Sequence, residues 1–483
     1  MIAERIKVTP FQIEGIMKCE IVKKGNQHGR AFVKGYIPSG EEQDYLELAA
    51  RRVTVQIQGV DEDGTSTVLF SGMVESCQIK NHNHVLVMEL SLVSHTSLMD
   101  MKPQIRGFQI PGMPYKEVFD TIVGGYLGGG CILSVEKEAV TEEPLVQYNE
   151  SDWEFFKRLA SHLNTVVIPS YQTDGVKCYI GLPNWPGVTK VNPVSYTICK
   201  MVGESLYKEQ NGIPGLIKDG ELCYEIEELK VLDIGEKVEF QGRLYQVVES
   251  KSYLDGHQLW NTYLIQTGVE MQVPRMYNER MVGASLDGVV SEVNGARVRV
   301  KLRADAVEGK GKWFAFSTVY SSPGGSGWYC MPEVGDEIRL YFPTVKEKHG
   351  YVISAVHLAE SGGGVGKNGN SRIKMAGGRE VGGRSDPSYK VIQTKSNKIV
   401  LLNDTQIFLS NNNGMSILLD DHEGITITSG GNVNLRSGGK VELASPEGIE
   451  VTGSEEVTLM QGKGSITLSD SKILFDGAET KIQ

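Results

Sequence analysis

From Ile399 to Phe475 an apolar–x–apolar triplet recurs about every eight residues. Its members are Ile399/Leu401, Ile407/Leu409, Ile417/Leu419, Ile425/Ile427, Val433/Leu435, Val441/Leu443, Ile449/Val451, Val457/Leu459, Ile466/Leu468 and Ile473/Phe475, with steps of 8, 10, 8, 8, 8, 8, 8, 9 and 7 between first members. Two side chains spaced by two point to one face of a strand, and the residue between them points to the other. From Thr426 onward that middle residue is mostly polar: Thr426, Asn434, Glu442, Glu450, Thr458 and Thr467. Turn formers separate the triplets, as in Ser429-Gly430-Gly431, Ser437-Gly438-Gly439 and Pro446-Glu447-Gly448. A strand this short cannot bury its apolar pair alone, so copies must stack. The pattern predicts a triangular β-prism, dry inside and polar outside, roughly 45–50 Å long if each repeat adds one layer of about 4.7 Å. In the first three repeats the outward position is apolar (Val400, Phe408, Leu418). Either other segments cover that collar or its register differs. Periodicity alone leaves two arrangements open: one chain winding about 24 residues per turn, or three chains intertwined.

Upstream, residues 358–397 hold Gly362-Gly363-Gly364, Gly377-Gly378 and Gly382-Gly383, which predict a Gly-rich linker. Residues 282–357 predict a five-stranded OB-like β-barrel. Its strands are expected at Gly288–Val293, Ala296–Leu302, Trp313–Thr318, Gly335–Phe342 and Tyr351–Val356, with Asn294-Gly295 as a type I′ turn in the first hairpin. Residues 1–281 predict strands, such as Arg52–Gln58, Thr67–Cys77 and Val85–Val93, with few helices. The clearest helix is Ser151–Leu163, where Ser151 and Glu154 form a capping box ahead of an apolar stripe of Trp153, Phe156, Leu159, Ala160 and Leu163. A second is expected from Pro114 to Val123, with Pro at its start.

Three segments together resemble the VgrG family, which is related to the fused hub and spike proteins of contractile phage tails. The first is Gln147-Tyr148-Asn149-Glu150-Ser151-Asp152-Trp153-Glu154-Phe155-Phe156-Lys157-Arg158-Leu159, similar to the family's signature helix, with a strand pair ending near Gly181 after it. The second is Met331-Pro332-Glu333-Val334-Gly335-Asp336-Glu337-Ile338, preceded by Gly327-Trp328-Tyr329, which resembles the family's barrel motif. The third is the octad repeat, similar to the trimeric needle of phage spikes. The resemblance implies a mainly β homotrimer with a hub of β-barrel domains over 1–281, an OB-like barrel over 282–357, a linker over 358–397 and a triple-stranded β-helix needle over 398–483. It also implies a non-enzymatic spike at the tip of a contractile injection apparatus, such as type VI secretion or a phage tail-like baseplate. Such a spike docks on the inner tube, punctures the target envelope and carries effectors. Implied partners are inner tube and baseplate proteins, effector cargo, a PAAR-type tip protein and, transiently, the target membrane. On this reading the structural core of the needle is Ile425, Ile427, Val433, Leu435, Val441, Leu443, Ile449, Val451, Val457, Leu459, Ile466 and Leu468. Hub-motif residues are Tyr148, Asn149, Glu150, Asp152, Trp153 and Phe156, and barrel-motif residues are Trp328, Pro332, Glu333, Val334, Gly335 and Asp336. Some relatives carry a lysozyme domain or a C-terminal effector. From the short Gly-rich gap and the last repeat's closeness to Gln483, neither is expected here.

Composition narrows the chemistry. At 483 residues the chain is long enough for about three domains. Its net charge of −11 opposes a role in coating nucleic acid, where clustered Lys and Arg would be needed. The seven cysteines are scattered without a Cys-x-x-Cys pair, which predicts buried thiols in a reducing compartment and no zinc site. The first residues are charged throughout and no run of 18 apolar residues occurs. Synthesis in the cytoplasm without a signal peptide follows, with assembly into the particle and delivery outside as the resemblance implies. Gly364-Val365-Gly366-Lys367-Asn368-Gly369 has a phosphate-loop spacing but no helix pattern after it. His82 and His84 are expected in a polar hairpin turn rather than on a metal, and Asp61-Glu62-Asp63-Gly64 at an acidic hairpin tip. Trp313, Phe314, Phe316, Trp328 and Tyr329 are expected in the barrel core and its packing, with glycan or nucleic-acid stacking as the alternative. A tail peptidoglycan hydrolase is the enzymatic alternative, but neither a Gly-x-Ser-x-Gly elbow nor a convincing carboxylate pair is present. No cofactor or metal is expected.

Overall fold

The computed structural model describes residues 5–60, 64–135, 139–213, 222–267, 271–319, 330–355, 373–374, 380–381, 388, 390–394, 396, 398–411, 413–479 and 481. The chain divides into two compact units, Met1–His357 and Leu358–Gln483. The structure is mainly β. Among the described residues no helix is long and apolar enough to cross a membrane.

The first unit opens with β1 (Ile6–Thr9), β2 (Gly15–Lys24), β3 (Arg30–Tyr36), α1 (Glu42–Ala50), β4 (Thr54–Val60), β5 (Ser66–His82) and β6 (Val85–Val93). Next come β7 (Gln104–Phe108), α2 (Tyr115–Val123), β8 (Gly130–Leu133), β9 (Leu145–Glu150), α3 (Asp152–His162), β10 (Val167–Pro169) and β11 (Lys177–Ile180). Then follow β12 (Thr189–Lys190), β13 (Ser195–Lys200), α4 (Val202–Gln210), β14 (Leu222–Glu228), β15 (Lys237–Phe240), β16 (Arg243–Asp255) and β17 (Gln258–Gln266). A 12-stranded sheet runs β1-β4-β5-β6-β3-β2-β16-β17-β14-β13, with β12 and β15 attached through β16. It carries two cores. One is built on Val33, Ile57, Phe70, Met88 and Leu90, the other on Ile226, Val238, Val247, Tyr263 and Ile265. The alternation that generates them is plain in β17, where Leu259, Asn261, Tyr263 and Ile265 point inward and their neighbours are half-buried.

α2, α3 and the small sheet β10-β11-β8 form a third core around Phe119, Trp153, Phe155, Phe156 and Leu159. α3 starts where its capping box predicts. Ser151 Oγ accepts from Glu154 N at 3.0 Å, and Glu154 Oε2 accepts from Ser151 N at 2.9 Å. Replacing Ser151 with Ala removes one of these bonds. The expected loss is about 1 kcal/mol, read as a lower midpoint in urea with an unchanged slope. Pro114 occupies the N-cap of α2 rather than its first turn. α1 and α4 lack clear apolar stripes in the sequence. α1 also moves the expected Arg52 strand start to Thr54, because Arg51 caps the helix and Arg52 turns with φ 55°.

The barrel consists of β18 (Ser285–Asn294), β19 (Arg297–Leu302), β20 (Trp313–Phe316), β21 (Glu337–Tyr341) and β22 (Tyr351–Ala355), closed in the order β18-β19-β20-β22-β21. Asn294 pairs with Arg297, so the hairpin loop is Gly295-Ala296, one residue later than the sequence predicts. Of the two only Gly295 has positive φ, at 55°. That is the II′ signature rather than I′. A bulge between Val290 and Glu292 absorbs the shift.

In the second unit, β23 (Ile373–Lys374) pairs with β24 (Glu380–Val381). A five-stranded antiparallel meander follows: β25 (Lys390–Gln393), β26 (Ile399–Leu402), β27 (Gln406–Ser410), β28 (Ser416–Asp420) and β29 (Gly424–Thr428). A separate three-stranded meander ends the chain: β30 (Glu456–Gln461), β31 (Gly464–Ser469) and β32 (Lys472–Asp476). Residues 430–455 form no strand, although three octads lie there. A strand exists only where a neighbour takes its backbone hydrogen bonds, and a single chain supplies none for this stretch.

Candidate functional site

Directly opposed residues of antiparallel strands share a face. Register therefore collects the octad pairs. Ile407 faces Leu419, Leu409 faces Ile417, Ile417 faces Ile427 and Leu419 faces Ile425. In the last meander Val457 faces Leu468, Leu459 faces Ile466, and Ile466 and Leu468 face Phe475 and Ile473. Each sheet thus has one continuous apolar face. Those faces are largely open to solvent, with Ile425, Ile427, Leu459, Ile473 and Phe475 all exposed. Between the sheets Val433, Leu435, Val441, Leu443, Ile449 and Val451 are 56–75% exposed. Fully burying such side chains is worth about 1.5–3 kcal/mol each. An apolar patch of this extent marks a contact surface.

The apolar collar resolves as a change of register. Leu401 faces Phe408, and Phe408 faces Leu418. With Ile399 and Val391 these residues form a small core of their own. In the first repeat it is Val400 and Leu402, not Ile399 and Leu401, that share the face of the later pairs. Strands apolar on both sides explain why the outward positions there are not polar.

The hub motif lies at a joint inside the first unit. β9 presents alternate residues to two cores. Leu145 belongs to the α2–α3 core, while Val146 and Tyr148 belong to the barrel core with Val290, Val298, Leu340 and Phe342. At the end of β9, Asn149 takes a left-handed conformation with φ 51° and turns the chain into α3. Arg158, fully buried on α3, is the centre of the joint. Its Nε donates to Glu150 Oε1 at 2.8 Å and its Nη2 to Glu150 Oε2 at 2.9 Å. Nη1 donates to Glu347 Oε1 of the barrel at 2.9 Å, and Nη2 also to the Val146 carbonyl at 2.8 Å. Two carboxylates around one guanidinium hold its pKa above the usual arginine value despite burial. Asp152, also buried, accepts from Arg106 Nη1 at 2.5 Å, Gln147 Nε2 at 2.8 Å and Tyr126 Oη at 2.6 Å.

The segment entering the barrel is pinned to the same motif. Asn278 Nδ2 donates to the Tyr148 carbonyl at 2.8 Å, and Arg280 forks onto Glu154 at 3.0 Å from each nitrogen. On the opposite side Gln109 Nε2 donates to both Asp305 oxygens at 2.8 and 2.9 Å. Gly107 pairs with the same loop, and a Cβ there would sit 2.5 Å from Asp305 Oδ1, so a side chain at this position would displace the Asp305 carboxylate. None of these ionic partners was legible from sequence. The available signal was Phe155, an apolar residue off the α3 stripe, which marks a helix buried on more than one side.

The barrel motif forms a turn. Gly335, with φ 99°, sits between Glu333 and Asp336, and Asp336 N donates to the Glu333 carbonyl at 3.1 Å. Asp336 Oδ2 accepts from Glu333 N at 2.8 Å, and Gly335 N donates to the Val290 carbonyl at 2.9 Å. Pro332 is buried, Val334 is exposed, and Trp328 lies outside the described residues, as do Gly327 and Tyr329. Phe314 is in the barrel core, and Trp313 is covered by the Arg299 guanidinium at 4.6 Å.

His82 pairs with Val85 and closes a two-residue hairpin loop, Asn83-His84, whose φ values of 50° and 65° make a I′ turn. Asp61, Glu62, Asp63 and residues 364–369 lie outside the described residues. One serine–aspartate–histidine set does occur: Ser151 Oγ donates to Asp100, and Asp100 Oδ2 bonds His28 Nε2 at 2.9 Å. The carboxylate stands between the other two, so the imidazole bonds no hydroxyl of Ser151. A base–nucleophile pair needs the reverse order. His28 instead bonds Thr96 and packs on Trp153. Among the described residues no group of three His, Cys, Asp or Glu side chains is placed to hold a metal.

His162, at the end of α3, bonds Tyr115 Oη through Nδ1 at 3.1 Å. Burial and the nearby Arg275 and Arg158 push its pKa down to about 3. The folded chain therefore keeps it neutral while the unfolded chain protonates it near pH 6.5. Its contribution is complete above that pH and is lost as pH falls from 6.5 towards 3. Between pH 7 and 5 the expected loss is about 2 kcal/mol. Urea melts at the two pH values should show it, and His162→Leu should remove that part of the slope.

Residues 32–166 match the family described as phage tail baseplate hub (GPD), and residues 286–357 match the type VI secretion system/phage-baseplate injector OB domain. No curated protein sequence matches. Among solved structures, a type VI secretion component of E. coli, described as similar to the T4 bacteriophage tail proteins gp27 and gp5, shares 12% identity. The likeness covers 73% of this chain and 99% of that one, with a TM-score of 0.52. A lidded PdpA–VgrG complex from Francisella shares 9% identity over 88% of this chain and 80% of that one, with a TM-score of 0.51. At such identities the likeness is one of fold.

Proposed function

We propose, from a VgrG-like chain whose residues 32–166 match a phage tail baseplate hub and whose residues 286–357 match an injector OB domain, that three copies assemble into the spike of a contractile injection apparatus. The observation that carries this reading is the open apolar face of the octad segment, with Val433 to Val451 exposed and without strand partners. Two further copies supply both the missing partners and the cover. Residues 398–483 form the needle, 358–397 the linker, 282–357 the collar barrel and 1–281 the hub that docks on the inner tube. Sheath contraction does the work, and the needle stays folded under load and punctures the target envelope. Arg158 and the motif around it, Tyr148 to Phe156, carry load between hub and barrel. The role is structural, not enzymatic, and needs no cofactor. A PAAR-type tip protein and effector cargo are the expected partners, with inner tube and baseplate proteins at the other end. The particle is assembled in the cytoplasm and acts outside it.

Light scattering on the purified chain tests the assembly. Three chains of 53.1 kDa give 3 × 53.1 = 159.3 kDa. That mass, with a monomeric mass once residues 398–483 are deleted, supports the spike. A stable 53.1 kDa monomer overturns it.

A further inference from the structure

Four of the seven cysteines, scattered in sequence, stand in two directly opposed pairs. Cys131 on β8 faces Cys178 on β11, and Cys199 on β13 faces Cys223 on β14. In both pairs one partner lies on the edge strand of its sheet, β8 or β13, and the other on the strand next to it. All four are reduced in this structure.

We infer that these are two cross-strand thiol–disulfide sites, which close when the protein meets a small-molecule disulfide such as oxidised glutathione. Adjacent strands lie about 4.7–4.9 Å apart. Opposed Cα atoms therefore fall inside the roughly 4.4–6.8 Å window that a disulfide spans. Both side chains of each pair point to the same face, so closure needs only a small approach of the Cβ atoms. An edge strand, bonded on one side only, can make that movement.

The two sites differ in access. Cys199 is half-exposed, while Cys223 is buried and donates its thiol to the Cys199 carbonyl at 3.2 Å. Cys131 and Cys178 are both buried, and the hydrogen bond with the Cys131 thiol, together with burial, holds Cys178 well above the usual thiol range. Reaction there waits for β8 to open. That strand is four residues long and follows Gly128-Gly129. The Cys199–Cys223 bridge therefore closes first.

The chemistry balances with the reagent as oxidant. A Cys199 thiolate attacks one sulfur of the reagent, forms a mixed disulfide and expels the first reagent thiolate. A Cys223 thiolate then attacks the Cys199 sulfur and expels the second. The two protein protons end on the two released thiols. The protein pair is oxidised by two electrons and the reagent reduced by two. The same sequence applies at Cys131 and Cys178. The inference rests on strand register and is independent of the spike reading.

The full chain is incubated with oxidised glutathione, denatured, blocked with an alkylating agent and mapped by mass spectrometry. The expected result is peptides joined 199–223 and, more slowly, 131–178, with Cys19, Cys77 and Cys330 recovered outside these two bridges. Cys178→Ala should abolish the 131–178 bridge and leave 199–223 intact, which controls for misfolding. Glutathione adducts or cross-chain links through exposed Cys330, with the four register-paired thiols still alkylated, would overturn the inference.

Discussion

Val441→Asp is expected to abolish the trimer and leave a species of 53.1 kDa in place of 159.3 kDa, three times that mass. In the proposed prism Val441 is an inward member of its octad, and its neighbour Glu442 is the outward one. In a closed three-chain prism one substitution places three carboxylates in a dry core. Each costs several kcal/mol to desolvate, and none finds a counter-charge. In an isolated chain Val441 is already exposed and the substitution would cost almost nothing. The measurement therefore separates assembly from single-chain stability. Glu442→Thr, at the outward position, should leave the mass unchanged. A Val441→Asp protein that still runs as a soluble trimer would sink the prism.

The second large effect concerns Arg158. Replacing it with Ala leaves Glu150 and Glu347 buried together without a cation, and strips the Val146 carbonyl of its donor. Losing one partner of a buried ionic set typically costs about 3–5 kcal/mol. Chemical denaturation of the first unit should show a loss of that order. Replacing all three groups with neutral partners of similar size (Arg158→Met, Glu150→Gln, Glu347→Gln) should recover much of it, because the penalty lies in the orphaned charges. Equal losses in the single and triple variants would show instead that packing of the Arg158 stem dominates.

The fold was legible where local chemistry decided it. Ser151 and Glu154 announced the start of α3. The alternation in residues 297–302 announced a barrel strand, and its register differed only by the one residue that the bulge at Val290 absorbs. The octad pairs share one face in the strands of repeats two to four and eight to ten, and the pattern failed at Ile399/Leu401 because a strand apolar on both faces has no polar side to set its register. What stayed illegible was long-range. Arg158 and Glu347 are separated by 189 positions, and nothing in either neighbourhood names the other. The opposed cysteines were hidden for the same reason, since strand pairing rather than spacing brings them together.

β9 carries one more consequence. A strand whose alternate side chains complete two different cores makes those cores thermodynamically inseparable. Pulling Val146 out of the barrel withdraws Leu145 from the α2–α3 layer in the same movement. Calorimetry on residues 1–357 should therefore find these two regions melting in one transition. A fragment cut at 281/282 would keep its chain ends tidy yet lack part of its own interior. Sequence modules and cooperative units do not coincide here.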